Sequence, residues 1–294
     1  MKVLITGANG MLGSSLCQLY HEFHEVHVIH RDQECFTPCS GDFSLDLTDS
    51  AKLQILFNTI KPDLVIHCAG LTSVDVCEKE PTLAYETNVT ICEIIARICT
   101  NETKLVNIST DQVYGDVLDR SEEGNEILQP LNQYGKTKLK SEERVRELCA
   151  NHINVRTNIF GWSAKPGRVS SAEWIYNSLK DGKEITLFTD YTFSPIYTKF
   201  LGEVIMRLVE SEFVGVINVG APEPCSKYEF GLRLAEVFDL DASYIRKGLI
   251  NDHTFFAPRG HRLDLNVSKL SSYGITAPDY LESVRKFKIC KNEF

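Results

Sequence analysis

The 294-residue sequence has no apolar run approaching the ~20 residues a membrane span requires. Lys2 leads directly into Val3-Leu4-Ile5, without the apolar stretch and small-residue cleavage site of a secretion leader. No block of like charge offers a binding tail, and a net charge of −9 argues against a general nucleic-acid surface. Cys35 and Cys39 are close, but no second pair supplies zinc spacing among the ten cysteines. Several cysteines, such as Cys68, Cys92 and Cys99, sit in apolar patterns. They read as reduced structural thiols of a cytoplasmic protein. Neither an internal repeat nor a low-complexity segment is present. The exclusions leave a soluble globular chain, 43% apolar and 24% charged, long enough for one large domain or two smaller ones.

Residues 2–6 read as a short buried strand, followed at once by Gly7-x-x-Gly10-Met11-Leu12-Gly13 and a helical run, Ser14 to Tyr20. The first two glycines permit a tight turn and close approach to a pyrophosphate, which a helix N-terminus favours electrostatically. The third allows close packing of helix and strand. Strand, glycine loop and helix in this order form a strong dinucleotide signature. The second strand, Glu25 to His30, ends in His30-Arg31-Asp32. Arg31 is a candidate for a 2′-phosphate and leans the reading towards NADPH. Asp32 keeps NADH open, and a merely solvated Arg31 is an equal alternative. Asp46-Leu47 precedes a helix, Ser50 to Ile60, with Asp49 or Ser50 as its cap. The third strand, Leu64 to His67, ends in the small residues Cys68-Ala69-Gly70, against which a cofactor could lie. A helix from Pro81 to Cys99 carries Asn88, and the fourth strand, Lys104 to Ile108, runs into Ser109-Thr110-Asp111. Strands alternating with helices predict a doubly wound parallel sheet of the α/β class, with ligands beyond its C-terminal strand ends. Gly7, His30, Cys68 and Ser109 all fall at such ends.

After a polar, proline-containing segment, Glu122 to Gln133, comes Tyr134-Gly-Lys-Thr-Lys138, opening a helical pattern from Leu139 to Leu148. A tyrosine and a lysine four apart share a helix face. The ammonium is expected to lower the phenol's pKa and to make the pair a proton donor or acceptor. In isolation the pair reads as a solvated helix start; its upstream setting raises the functional reading.

The glycine loop, Ser109-Thr110-Asp111-x-Val113-Tyr114-Gly115 and Tyr134 to Lys138 resemble an extended short-chain dehydrogenase/reductase. Pro130 to Leu139, Pro-Leu-Asn-x-Tyr-Gly-Lys-Thr-Lys-Leu, is similar to the dTDP-4-dehydrorhamnose reductase branch, and the likeness covers nearly the whole chain. The resemblance implies an NAD(P)H-dependent reductase of a 4-keto-6-deoxy nucleotide sugar, serving deoxysugar and surface polysaccharide biosynthesis. It makes Thr110 the hydroxyl that polarises the carbonyl, Tyr134 the general acid and Lys138 the ribose-binding cation. Cofactor contacts are then expected from Gly7, Gly10 to Gly13, Arg31, Asp46, Leu47, Cys68 to Gly70 and Ile108, besides Tyr134 and Lys138. Thr110, Asp111, Ile159 and Arg259 are expected at the substrate; Arg259 as a surface ion-pair residue is the equal alternative. Relatives that dimerise through magnesium carry a glutamate where this sequence has Ser15, so no metal is expected, while a homodimer stays open.

The family likeness also divides the chain. Residues 1–161 plus about 196–220 form the nucleotide domain, and about 162–195 plus 221–294 a smaller C-terminal substrate domain. His152 to Arg156 reads as a strand, and Trp162 to Val169 as irregular and mobile. Helix Ser171 to Leu179, strand Ile185 to Phe188, helix Leu201 to Val209, strand Gly215 to Val219 and helix Lys227 to Phe238 follow. Two rivals remain open at this point. One is an epimerase or dehydratase on the same fold, disfavoured by Gln112 after Asp111. The other is a binding protein, since the regulatory β-subunit of methionine adenosyltransferase resembles the chain over the same motifs.

Overall fold

The computed structural model describes residues 1–32, 34–116 and 128–293; residues 122–127 of the polar segment before Tyr134 lie outside them. Strand β1 (Lys2–Thr6) is apolar on both sides, and its Val3, Leu4 and Ile5 are fully buried. Such a run suits a strand covered by helices on both faces. Helix α1 (Met11–Tyr20), β2 (Glu25–His30), β3 (Gly41–Ser44), α2 (Ser50–Ile60) and β4 (Leu64–His67) follow. Next come α3 (Val74–Lys79), α4 (Pro81–Tyr85), α5 (Ile91–Ile98), β5 (Lys104–Ile108), α6 (Gln133–Leu148) and β6 (His152–Phe160). The rest comprises α7 (Ser171–Lys180), β7 (Ile185–Phe188), β8 (Thr192–Phe193), β9 (Pro195–Tyr197) and α8 (Thr198–Glu210). It closes with β10 (Gly215–Val219), β11 (Cys225–Ser226), α9 (Lys227–Phe238), β12 (Ile245–Gly248), β13 (Arg262–Leu263) and α10 (Tyr280–Ile289).

The main sheet has the order β10-β6-β5-β4-β1-β2-β3, with β9 added to the far end of β6, and every pairing is parallel. Side-chain alternation sorts its core by face. Val3, Ile5, Leu64 and Val106 pack towards α1 and α8, whereas Leu4, Val65 and Leu105 pack towards α2, α5 and α6. Burying each such side chain is worth about 1.5–3 kcal/mol. A separate core gathers around Phe160, Trp162 and Phe287, where the Trp162 and Phe287 rings stack at 4.0 Å.

The fold is the doubly wound parallel sheet expected, with local differences. The expected helix Pro81 to Cys99 is interrupted by a π-helical turn, Glu86–Thr90, which turns Asn88 inward. Helix α6 starts at Gln133 because Asn132 caps it, accepting from the Gly135 amide at 2.9 Å. Strand β6 continues past Arg156 to Phe160, where it gains β9 as a neighbour. The sequence reading lacked α3, α10 and the strands β3, β8, β9, β11, β12 and β13. Strand β3 is a four-residue edge strand, half-buried at alternate positions, and α3 is barely more than a turn.

Candidate active site

The parallel strands point their C-terminal ends at a cleft of about 570 Å³. The glycine loop forms one wall. Gly7 has a φ of +70°, and a Cβ there would sit 2.7 Å from the Ala69 amide. At Gly13 a Cβ would approach the Gly7 carbonyl to 2.3 Å, so only glycine lets α1 begin this close to the loop. Gly10 caps α1 without a side chain, leaving the first-turn amides of the helix open towards the cleft. A pyrophosphate fits such a helix N-terminus. Cys68, Ala69, Gly70 and Ile108 line the same cleft. Behind them His67 accepts or donates to the Thr6 hydroxyl at 2.7 Å, and burial holds its pKa down at about 3, so the ring stays neutral.

The other wall holds Thr110, Asp111, Tyr134, Lys138 and Ile159. Gly135 makes this convergence physically feasible: a Cβ there would meet the Gln112 carbonyl at 2.6 Å, so α6 begins against the turn that follows β5. Asn132 ties the same corner, donating to Gln112 Oε1 at 2.9 Å and to the Pro258 carbonyl at 3.0 Å. Tyr134 and Lys138 share one face of α6, with the Tyr134 hydroxyl near that of Thr110. Lys138 is buried, yet its ammonium hydrogen-bonds to no described residue, which leaves its donors for ligand hydroxyls. Asn88 donates to Thr137 Oγ1 and the Leu71 carbonyl, both at 3.1 Å, and fixes the turn between Tyr134 and Lys138.

The electrostatics correct one expectation. Lys138 does not pull the Tyr134 phenol down. Burial pushes the phenol above its ordinary pKa, the Asp111 charge adds to this, and the nearby Thr110 hydroxyl only partly opposes it. Burial likewise lowers Lys138. The phenol is therefore protonated at neutral pH. Asp111 is pushed up to about 6 by burial, against hydrogen bonds from Asn158 and Thr110 and the charge of Lys227. Thr110 Oγ1 donates to Asp111 Oδ1 at 2.9 Å, and Asn158 donates to Oδ2.

Some expected contacts fall outside this cleft. Arg31 is exposed, with Asp46 as an electrostatic neighbour, and Asp46 is itself exposed and bound by Thr48. Leu47 packs in the core instead. Asp32 is the residue turned to the glycine loop, accepting from Asn9 at 2.9 Å and pairing with Lys165. Arg259 pairs with Asp75 at 2.9 Å and lies over the Phe255 ring. Ser15 hydrogen-bonds Thr198 Oγ1 at 2.7 Å, and among the described residues no three His, Cys, Asp or Glu side chains converge to hold an ion. All ten cysteines are free thiols.

Residues beyond the sequence reading also serve the site. Glu142, one turn past Lys138, accepts from Ser109 and from Arg156, joining α6 to the end of β5 and the middle of β6. A glutamate at i+4 from Lys138 was its only sequence signal; its arginine partner lies on another element. Asn158, which donates to Asp111, gave no local signal at all.

This geometry agrees with what the chain is similar to. A low-salt glycan biosynthesis reductase of Haloferax volcanii, named as probable, is 30% identical over 92% of this chain and 91% of its own. The methionine adenosyltransferase 2 subunit beta of Xenopus laevis is 28% identical over 93% of this chain and 83% of its own. Among solved structures, dTDP-4-dehydrorhamnose reductase of Bacillus anthracis, in complex with NADP, superposes with a TM-score of 0.87 at 28% identity, covering 98% of both chains. The model of the RmlD substrate binding domain matches residues 1–289, from the glycine loop through α10. With that match running the length of the fold and across both walls of the cleft, the chain belongs to the RmlD substrate binding domain family.

Proposed function

We propose that the chain is a nicotinamide-dependent reductase of a 4-keto-6-deoxy nucleotide sugar, acting in deoxysugar or polysaccharide biosynthesis. The observation that carries this reading is the meeting of Thr110, Tyr134 and Lys138 in a cleft continuous with the glycine loop. Both the open α1 N-terminus and the unpaired Lys138 donors fit a dinucleotide. NADPH is the favoured cofactor, with NADH open; when bound it supplies the hydride. Residues 1–161 plus about 196–220 would hold it, leaving the remainder to the sugar.

The residues divide the work. Thr110 turns its one hydroxyl proton from Asp111 to the ketone oxygen, stabilising charge that grows as the carbonyl carbon is reduced. Tyr134 delivers its phenolic proton to that oxygen, completing the alcohol. Lys138 orients the cofactor ribose beside them, and Asp111 and Ile159 border the sugar. Tyr134→Phe tests the proposal, because it keeps the ring and removes only the hydroxyl. NADPH consumption with a panel of 4-keto sugar nucleotides should fall by roughly 10²–10⁴ in kcat, with cofactor affinity retained. Undiminished turnover in this variant would end the mechanism. Cofactor binding without turnover in the parent protein would instead favour a binding subunit like the methionine adenosyltransferase relative.

A further inference from the structure

We propose that Lys165, reaching from the segment between β6 and α7 to Asp32 past the end of β2, is the cation that reads the adenosine 2′-phosphate and makes the chain prefer NADPH to NADH. This deepens the reductase reading and rests on its nicotinamide cofactor. Lys165 Nζ is ion-paired with Asp32 Oδ1, and the other carboxylate oxygen accepts from Asn9 Nδ2 at 2.9 Å. Asn9 belongs to the glycine loop and lines the cleft. It is itself held, donating to the Glu34 carbonyl at 2.9 Å and accepting from the Phe36 amide at 3.0 Å. The Asp32 carbonyl accepts from His30 Nδ1 and Ser44 Oγ, both at 3.1 Å. Asp32 is thus fixed beside the glycine loop, and Lys165 is in contact with it there.

That place has a defined meaning in a dinucleotide site. A carboxylate about 20 residues past the glycine motif meets the adenosine ribose at its 2′-hydroxyl, whereas a 2′-phosphate requires a cation there. Hydrogen bonds from Lys165 and Asn9 hold Asp32 below the ordinary carboxylate range, so it is ionised at neutral pH and alone would repel a phosphate. Lys165 offsets that charge and brings donors of its own. An ammonium has three N–H groups, and among the described residues Asp32 is the one polar partner of Lys165 Nζ, which leaves donors for phosphate oxygens. The Lys165 and Asp32 side chains are 31% and 28% exposed, open enough to meet a ligand. The same segment reaches into the cleft, which Ser163, Arg168 and Val169 line. Within it the Arg168 amide donates to the Lys165 carbonyl at 3.2 Å, closing a turn in which Gly167 has a φ of +76°. Arg31, the cation beside Asp32 in sequence, is exposed and among the described residues forms no ion pair that would fix it.

The test is calorimetric titration of the parent protein, Lys165→Met, Lys165→Arg and Arg31→Met with NADPH, NADH, 2′,5′-ADP and 5′-ADP. Lys165→Met should weaken NADPH and 2′,5′-ADP by roughly ten- to hundredfold, while NADH and 5′-ADP, which lack the 2′-phosphate, lose far less. Lys165→Arg should restore part of the preference, and Arg31→Met should keep most of it. A half-exposed ion pair adds little to stability, so the melting temperature of Lys165→Met should hold. An NADPH-to-NADH ratio as large in Lys165→Met as in the parent overturns the proposal and leaves the reductase reading standing. Loss of that ratio in Arg31→Met alone does the same. Binding that depends on the 2′-phosphate and is lost in Lys165→Met, without turnover of any 4-keto sugar by the parent, supports Lys165 and refutes the reductase. Equal affinity of the parent for 2′,5′-ADP and 5′-ADP, or binding of neither, refutes the role of Lys165.

Discussion

Removing the carboxylate of Glu142 should damage stability and catalysis through separate routes. The Glu142 and Arg156 side chains are 4% and 2% exposed, and Arg156 Nη2 meets Glu142 Oε2 at 2.8 Å. Arg156 Nε donates to both carboxylate oxygens at 3.1 Å, and its guanidinium lies 4.8 Å over the Tyr114 ring. Breaking such a pair from one side leaves a buried uncompensated charge, costing about 3–5 kcal/mol. At this chain length that corresponds to a fall in Tm of roughly 6–10 °C for Glu142→Leu. Arg156→Met should fall comparably. The double variant Glu142→Leu/Arg156→Met removes both charges and should recover most of the loss, because an apolar replacement of a buried pair is often neutral. Its turnover should stay low, since Ser109 loses its acceptor next to Thr110 and α6 loses its tether one turn beyond Lys138. Calorimetric melting and NADPH-dependent rates on the four proteins of the cycle measure both effects. A double variant destabilised by the sum of the two singles would mean no coupling, and the reasoning from burial would be wrong.

Gly13→Ala should weaken NADPH binding at least tenfold and cost about 1–3 kcal/mol of stability, because the new Cβ would meet the Gly7 carbonyl at 2.3 Å. Fluorescence titration reads the affinity, and an unchanged Kd counts against the close approach of α1. Asp111→Asn should abolish most turnover yet stabilise the fold in alkali. Burial raises the Asp111 pKa from 3.8 to about 6 in the folded protein. Its favourable contribution is therefore complete below the unfolded value and lost as pH rises through about 6, by up to about 3 kcal/mol. The variant's Tm should accordingly exceed the parent's at about pH 8 and match it near pH 4; a constant difference at both would contradict the sign.

Much of this was readable from order and spacing alone. Gly7, Gly10 and Gly13 lie within one strand-loop-helix unit, and their roles are local, so sequence carries them. Tyr134 and Lys138 stood out by their spacing at a helix start, whereas Thr110 was singled out through the family resemblance. What sequence could not carry depends on depth or on distant partners. Glu142 and Arg156 are 14 residues apart on a helix and a strand, and only the packing of α6 over β6 joins them. The sequence reading leant to Arg31 over its neighbour Asp32, yet past β2 it is Asp32 that meets the glycine loop while Arg31 is exposed.

The direction of the Tyr134 shift was the one chemical inference that adjacency alone got wrong, and its correction bears on the reaction. Four residues of spacing place an ammonium on the phenol's face, and Coulomb attraction by itself would favour phenolate. The same depth that brings them together strips water from both, and desolvation opposes each charge. For the phenol the desolvation cost is the larger effect, reinforced by Asp111. Before any hydride moves, the proton already sits on Tyr134. A reduction needs that proton on the donor side, since the alkoxide it generates is far more basic than a phenol and takes it downhill. The reverse oxidation would have to ionise Tyr134 first, against its burial. Burial this deep keeps the phenol protonated, as the proposed role of Tyr134 as proton donor requires.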